Sequence, residues 1–97
     1  MANALVSIQI LPRTKNNEDI IPYVDAAIAV IDRSGVKYRV APLETTMEGE
    51  LDVLLNIIKE MNDEMIKIGS PSVLSQIKIA YNPTGMSMDK LTAKYDK

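Results

Sequence analysis

Apolar and polar side chains alternate in four stretches of the chain, which predicts four β-strands. In residues 3–11 every second position is apolar on one side, while Ser7 and Gln9 fall on the other side. A period of two is the spacing of a strand, and Pro12 ends its ladder. The same reasoning predicts three further strands rich in β-branched residues. They cover residues 36–41, 43–48 and 72–81.

Two segments between these strands repeat apolar residues at helical spacing. The first covers residues 18–33, with Asn16 or Asn17 as the predicted N-cap and Gly35 as the predicted left-handed stop. The second begins with the acidic residues Glu50 and Asp52 and ends at Gly69.

The segment after the last strand, residues 86–97, carries a thin apolar edge. It is predicted either as a short helix capped by Ser87 at an oligomer contact or as a frayed end.

The resulting order, β-α-β-β-α-β, predicts an α+β fold of the ferredoxin-like type. In this fold a four-stranded antiparallel sheet carries both helices on one face. A chain of 97 residues has room for one core, so residues 1–97 are predicted to form a single domain. The other face of the sheet would be part polar and part apolar, and such faces are commonly covered by another subunit.

Composition narrows the classes of function. The net charge is −2 and no two basic residues are adjacent, which argues against a nucleic-acid partner. Because the chain has no His and no Cys, it lacks an imidazole base, a thiolate nucleophile and the usual zinc ligands. Its first residues do not resemble a signal peptide, and its apolar runs are far too short to span a membrane. We therefore expect a cytoplasmic protein without a membrane partner.

Three carboxylates, those of Glu44, Glu48 and Glu50, lie close together in the sequence. Such a group can act as acid and base or can hold a divalent cation. Acidic residues near a helix start more often support the helix or remain solvated, so no metal site and no catalytic residue is predicted.

Hydroxyl and amide side chains form a second candidate group. If the first and third strands are neighbours, Thr45 and Thr46 lie near Ser7 and Gln9. Clustered hydroxyls and an amide can orient a polar ligand in an apolar pocket. The alternative is that the threonines serve strand propensity and that Ser7 bonds locally.

Five segments of the chain resemble the small thiamine-binding protein family, over residues 4–81. They are Val6–Pro12, Ile21–Asp25, Ser34–Tyr38, Pro42–Glu50 and Ile77–Ile79. The resemblance implies a ferredoxin-like subunit that forms homodimers or homotetramers. It also implies binding of thiamine, or of its hydroxymethylpyrimidine half, without a known reaction.

Carried onto this chain, the resemblance implies a pocket of six residues. They are Ser7, Gln9, Tyr38, Thr45, Thr46 and Glu48. Hydroxyls, an amide and a carboxylate can read the edge of an aminopyrimidine, and a carboxylate also offsets the positive thiazolium. The prediction is a binding protein without cofactor or enzymatic activity, acting in vitamin supply or sensing. The alternative is an oligomeric scaffold or regulatory protein with no small-molecule ligand, and an enzyme that uses the carboxylates ranks last.

Overall fold

A computed structural model describes residues 2–96 of the chain as one antiparallel sheet with helices. The strands lie in the order β2-β3-β1-β4, so the two central strands are the third and the first in sequence. This arrangement confirms the predicted ferredoxin-like α+β fold. The elements are β1 (Ala4–Pro12), α1 (Ile21–Ser34), β2 (Lys37–Val40), β3 (Thr45–Gly49), α2 (Leu51–Lys67), β4 (Val73–Tyr81) and α3 (Met88–Thr92).

The core lies between one face of the sheet and the two long helices. Val6 and Ile8 of β1, with Met47 of β3, present their side chains to this layer and are almost inaccessible to solvent. The helices complete it with aliphatic side chains, among which Ile31, Leu54 and Met65 are fully buried. Burial of this apolar area supplies most of the stability of a small domain. We call the opposite side of the sheet, which the two long helices do not cover, the open face.

Helix α1 begins later than predicted. Asn16 and Asn17, the expected caps, adopt left-handed backbone conformations in the preceding loop, with φ of 55° and 57°. The backbone N–H of Ile21 instead donates to the side chain of Asp19 at 3.0 Å. The predicted stop at Gly35 is confirmed, since this residue has φ 81° and its N–H bonds to the carbonyl of Asp32.

The connection between β2 and β3 is a tight turn that extends further than predicted. The sequence predicted that the third strand starts at residue 43. The backbone N–H of Ala41 donates to the carbonyl of Glu44 at 3.0 Å, so β3 begins at Thr45. Pro42 favours this turn because its φ is already restricted and it lacks an N–H group. The turn holds the Glu44 side chain at the end of the sheet.

The short C-terminal helix is present, and Ser87 caps it by accepting a hydrogen bond from the N–H of Lys90. Helix α3 lies on the open face over β2 and β3, and its first residue, Met88, is only 4% exposed. Its place at an oligomer contact stays a prediction. None of the helices within residues 2–96 is long and apolar enough to cross a membrane.

Candidate ligand-binding site

The strand register brings together most of the residues predicted for a pocket. Ser7 lies directly opposite Thr46 across the β1–β3 ladder, and Leu5 lies opposite Glu48. Because side chains alternate along a strand, Ser7, Gln9, Thr46 and Glu48 all lie on the open face. These four side chains therefore share one surface of the sheet.

The other two predicted residues lie on the helix side. Thr45 pairs with Ile8 and is 8% exposed, and it lines the end of the core instead of the open face. Tyr38 pairs with Met47, and its hydroxyl donates to the Asp32 carboxylate of α1 at 3.0 Å. That hydrogen bond raises the pKa of the Tyr38 hydroxyl, because the phenolate would face a carboxylate.

Glu44 is the polar residue that the predicted pocket omitted. Its carboxylate accepts hydrogen bonds from the Ser7 hydroxyl at 3.1 Å and from the Lys78 ammonium at 2.9 Å. The bond from Lys78 is the main reason why the pKa of the Glu44 carboxyl lies below its ordinary value. Glu44 is therefore ionised at neutral pH, with one oxygen turned toward each partner.

The sequence held a signal for this residue. A strand over residues 43–48 already places Glu44 on the same side as Thr46 and Glu48, since all three numbers are even. Lys78 of β4 pairs with Ser7 of β1, so it joins the same row across the sheet. The missing information was the register that aligns β4 with β1.

A cleft of about 600 Å³ opens on this face between the β2–β3 turn and β4. Its lining residues are Gln9, Leu43, Glu44, Gln76, Ile77 and Lys78. Two carboxamides, one carboxylate and one ammonium group line a surface that also has apolar parts. Such a surface can both donate to and accept from a polar ligand, and it carries a defined anionic point at Glu44.

A second cavity, of about 270 Å³, lies behind the same turn. Aliphatic side chains from β1, the start of α1 and the turn make up most of its wall, with Val24 and Ile28 among them. Gln9, Leu43 and Glu44 line both this cavity and the open-face cleft. An apolar hollow therefore adjoins a polar cleft at the Glu44 carboxylate.

Helix α3 occupies the other half of the open face. The Glu48 carboxylate accepts a hydrogen bond from the backbone N–H of Met88 at 2.8 Å. Asp89 forms ion pairs with Lys37 and with Arg39, which lower the pKa of the Asp89 carboxyl and raise that of the Lys37 ammonium. Two predicted pocket residues, Thr46 and Glu48, thus lie beside or beneath α3, whereas the β1–β4 half of the face is open.

Among residues 2–96 no group of three or more potential ligating side chains could hold a metal ion. The fold and the cleft describe a small ferredoxin-like protein with a ligand-sized polar site beside an apolar one.

Comparison with known proteins places the chain in a family. The sequence model described as thiamine-binding protein matches residues 6–96, and the chain belongs to this family. A UPF0045 protein of Clostridium perfringens is 42% identical over 90 residues, which is 93% of this chain and 94% of that protein. These findings confirm the resemblance seen in the sequence.

Solved structures of relatives share the whole architecture. A protein of Bacillus cereus, described as a DUF77 domain of unknown function, has a TM-score of 0.92 and 38% identity, covering 100% of this chain and 94% of that one. A protein of Thermotoga maritima, provisionally described as a thiamine biosynthesis or salvage protein, has a TM-score of 0.87 and 28% identity. That match covers 97% of this chain and 99% of the other.

Proposed function

We propose that this protein binds thiamine, or its hydroxymethylpyrimidine part, and catalyses no reaction on it. Membership of the thiamine-binding family supports the ligand class, as does the provisional description of the Thermotoga maritima relative. The observation that carries the proposal is the ionised Glu44 carboxylate, which lies where the polar cleft meets the apolar cavity.

The two halves of thiamine match the apolar cavity and the polar cleft in chemistry. The aminopyrimidine is flat, with apolar faces and with nitrogen donors and acceptors along its edge. In our proposal this ring enters the cavity beside Val24 and Ile28, and Gln9 and Glu44 bond to its edge. The thiazolium carries a permanent positive charge and remains in the open-face cleft, close to the same carboxylate.

The Lys78 ammonium forms an ion pair with the Glu44 carboxylate. When a cationic ligand binds, Lys78 must either share this carboxylate with the ligand or turn away from it. Its side chain is 76% exposed, so it regains full hydration when it turns away. Exposed ion pairs contribute little net stability, and the exchange of one cation for another is therefore inexpensive. Ser7 keeps its hydrogen bond to the other carboxylate oxygen and holds Glu44 in place.

Of the six residues predicted from the resemblance, Ser7, Gln9 and Thr45 line or adjoin this proposed position. Thr46 and Glu48 lie closer to α3, and we propose that they contact a ligand only in the part of the cleft nearest that helix. Tyr38 stays a predicted ligand residue on the helix side of the sheet.

Isothermal titration with thiamine tests the proposal. Wild-type protein should bind thiamine, and Glu44→Gln should weaken binding roughly tenfold or more, because a charged hydrogen-bond acceptor is lost. Glu60→Gln, on the exposed surface of α2, is the matched control and should bind as the wild type does. Thr46→Val and Glu48→Gln test the remaining predicted contacts.

Two outcomes would contradict the proposal. Millimolar thiamine that produces neither heat nor a thermal shift in the wild type would exclude this ligand. Equal binding by Glu44→Gln and the wild type would exclude this site. Titration with uncharged hydroxymethylpyrimidine separates the two halves, since its affinity should depend less on the charge of Glu44.

The second candidate is an oligomeric scaffold or regulatory protein without a small ligand. The exposed apolar side chains of β4, such as Ile79 at 50% and Tyr81 at 55%, favour some form of self-association. We propose that the protein is a homodimer or homotetramer in the cytoplasm under either hypothesis. Native mass spectrometry of protein taken from cells distinguishes them, because only the binding protein should retain a ligand mass.

A further inference from the structure

A row of polar side chains crosses the open face from one edge of the sheet to the other. Ser7 of β1 lies opposite Lys78 of β4 and also opposite Thr46 of β3. Thr46 in turn lies opposite Arg39 of β2. Because directly opposed residues of neighbouring strands point to the same face, all four side chains lie on the open face. Two hydroxyl groups are therefore flanked by two basic groups.

A hollow of about 230 Å³ lies over the middle of this row. Ser7, Thr46 and Lys78 line it, together with Glu44 and three apolar residues. Glu44 and Lys78 also line the larger cleft of about 600 Å³, so their ion pair lies between the cleft and the hollow. A ligand that lies in the cleft can therefore extend past this ion pair into the hollow.

The polar groups of the hollow are suited to a phosphate. An ammonium group has three N–H donors, and the hydrogen bond from Lys78 to the Glu44 carboxylate, at 2.9 Å, uses one of them. The hydroxyl of Thr46 supplies a further donor. Among the described residues that line the hollow, Lys78 is the only basic one. Lysine binds phosphate as a compact charge, so one phosphate group matches this set of donors.

We infer that this hollow binds the phosphate group of thiamine monophosphate, with Lys78 as its counter-ion and Thr46 as a hydroxyl donor. The inference rests on the proposed function, because the thiazolium at Glu44 brings the rest of the ligand to this part of the sheet. Thiamine carries its hydroxyethyl arm on the thiazolium ring, and the phosphate ester lies at the end of that arm. The phosphate therefore follows the ring along the open face, from the cleft into the hollow.

The charges of this ligand complement the ion pair that it meets. Thiamine monophosphate has a cationic ring and an anionic end, whereas the protein presents the Glu44 carboxylate beside the Lys78 ammonium. Binding exchanges this one internal ion pair for two pairs with the ligand, and neither Glu44 nor Lys78 loses its counter-charge. Thiamine itself pairs with Glu44 alone and supplies no anion for Lys78. Lys78 is therefore a residue that favours the monophosphate over thiamine.

Two other basic groups of the open face are already engaged. Lys37 and Arg39 both form ion pairs with Asp89 of α3. A phosphate would have to displace that carboxylate before it reached either of them. Lys78 gives up its carboxylate to the thiazolium of the same ligand, so it is the cation that becomes available when the ligand binds.

Isothermal titration of the wild type and of Lys78→Met with both ligands tests the inference. The wild type should bind thiamine monophosphate about fivefold more tightly than thiamine at low salt, which is the scale of one exposed ion pair. In Lys78→Met the order should reverse, because the ammonium no longer competes with thiamine and the phosphate no longer has its counter-ion. Lys59→Met is the matched control, since the Lys59 side chain is 79% exposed, against 76% for Lys78, and also faces a carboxylate. It should keep the wild-type ratio of the two affinities.

Two further measurements report on the phosphate itself. Thr46→Val should lower the affinity for the monophosphate by more than it lowers that for thiamine, because a hydroxyl donor is lost. In the wild type, the ratio of the two affinities should rise from about pH 5 to about pH 7, because a phosphate monoester loses its second proton near a pKa of about 6. Glu44 and Lys78 are the ionisable side chains among the described residues that line the hollow, and the lowered pKa of the Glu44 carboxyl keeps it ionised over this range. Titration of the aminopyrimidine affects both ligands alike and cancels in the ratio.

The outcomes distinguish the phosphate subsite from the thiamine site itself. If neither ligand binds to the wild type, the proposed function fails and the inference fails with it. If thiamine binds in a Glu44-dependent manner but the monophosphate binds no more tightly, the proposed function stands and the subsite is overturned. An affinity ratio that is the same in Lys78→Met and the wild type, or that does not change with pH, also overturns the subsite. A further gain in affinity with thiamine diphosphate would contradict a hollow that holds a single phosphate.

Discussion

Met88 is the buried side chain of helix α3, and Met88→Ala should weaken the docking of this helix on the sheet. Met88 is 4% exposed, whereas Leu91 of the same helix is 58% exposed. Truncation of a buried methionine to alanine costs about 2–5 kcal/mol. Because Met88 belongs to a helix of only five residues, we expect the lower end of this range, about 2 kcal/mol.

This cost should fall on the docking of α3 and leave the rest of the fold intact. A short helix with a single buried side chain can open locally without unfolding the sheet, so hydrogen exchange is the appropriate assay. A change of about 2 kcal/mol corresponds to roughly 30-fold faster exchange of the amides in α3. The amides of β1, Ala4–Pro12, should keep their wild-type protection, and the main thermal transition should move little.

Leu91→Ala removes a side chain of similar size from the exposed side of the same helix and serves as the control. It should change the exchange of α3 amides by less than about fivefold. Equal effects of the two variants, or unchanged exchange in Met88→Ala, would refute the view that Met88 anchors α3. A large loss of protection in β1 would instead show that α3 belongs to the cooperative core.

Three further outcomes follow from the same structure. Hydrogen bonds and ion pairs lower the pKa values of the Glu44 and Asp89 carboxyls in the native state. Their contribution to stability is therefore complete above the ordinary carboxyl pKa and is lost as the pH falls through the lowered native pKa values. Urea unfolding from pH 6 to pH 2 should show this loss of stability, and Glu44→Gln should make it smaller. Leu54→Ala should cost about 2–5 kcal/mol in urea unfolding because its side chain is fully buried, whereas its neighbour Leu55→Ala, 42% exposed, should cost under about 1 kcal/mol. Lys78→Met should strengthen thiamine binding, most visibly at low salt, because the cation that competes for Glu44 is gone; unchanged affinity would contradict the exchange.

The order of elements followed from periodicity because each strand and helix has a strong pattern of its own. The two faces of β1 were correct, with Val6 and Ile8 in the core, since alternation fixes them without any partner. The start of α1 was wrong because Asn16 and Asn17 favour caps and also tolerate left-handed turns, and the sequence does not distinguish these uses.

The site was harder to predict because it depends on register between distant strands. Thr45 and Thr46 are adjacent in one strand and therefore point to opposite faces, which excludes a single flat pocket wall containing both. The pairing of Lys78 with Glu44 joins residues 34 positions apart, and no local pattern reports it. The hydrogen bond from the Met88 N–H of α3 to the Glu48 carboxylate is likewise a tertiary contact that no local sequence pattern predicts.

On the open face, two carboxylates, those of Asp89 and Glu44, form ion pairs with the basic side chains. The two carboxylates differ in how firmly the structure around them holds them in place. Asp89 neutralises Lys37 and Arg39 from a five-residue helix, so this carboxylate leaves the sheet whenever that helix undocks. Glu44 neutralises Lys78 from a turn closed by the Ala41–Glu44 backbone bond and is held by the Ser7 hydroxyl. A binding site has higher affinity when its side chains are already ordered, because the conformational entropy of these side chains is lost on folding and not on binding. We therefore propose that the fixed carboxylate beside an exposed lysine is the better receptor for a cationic ligand. Glu48 is bonded to the backbone of α3, and in this proposal it meets a ligand only in the part of the cleft nearest that helix.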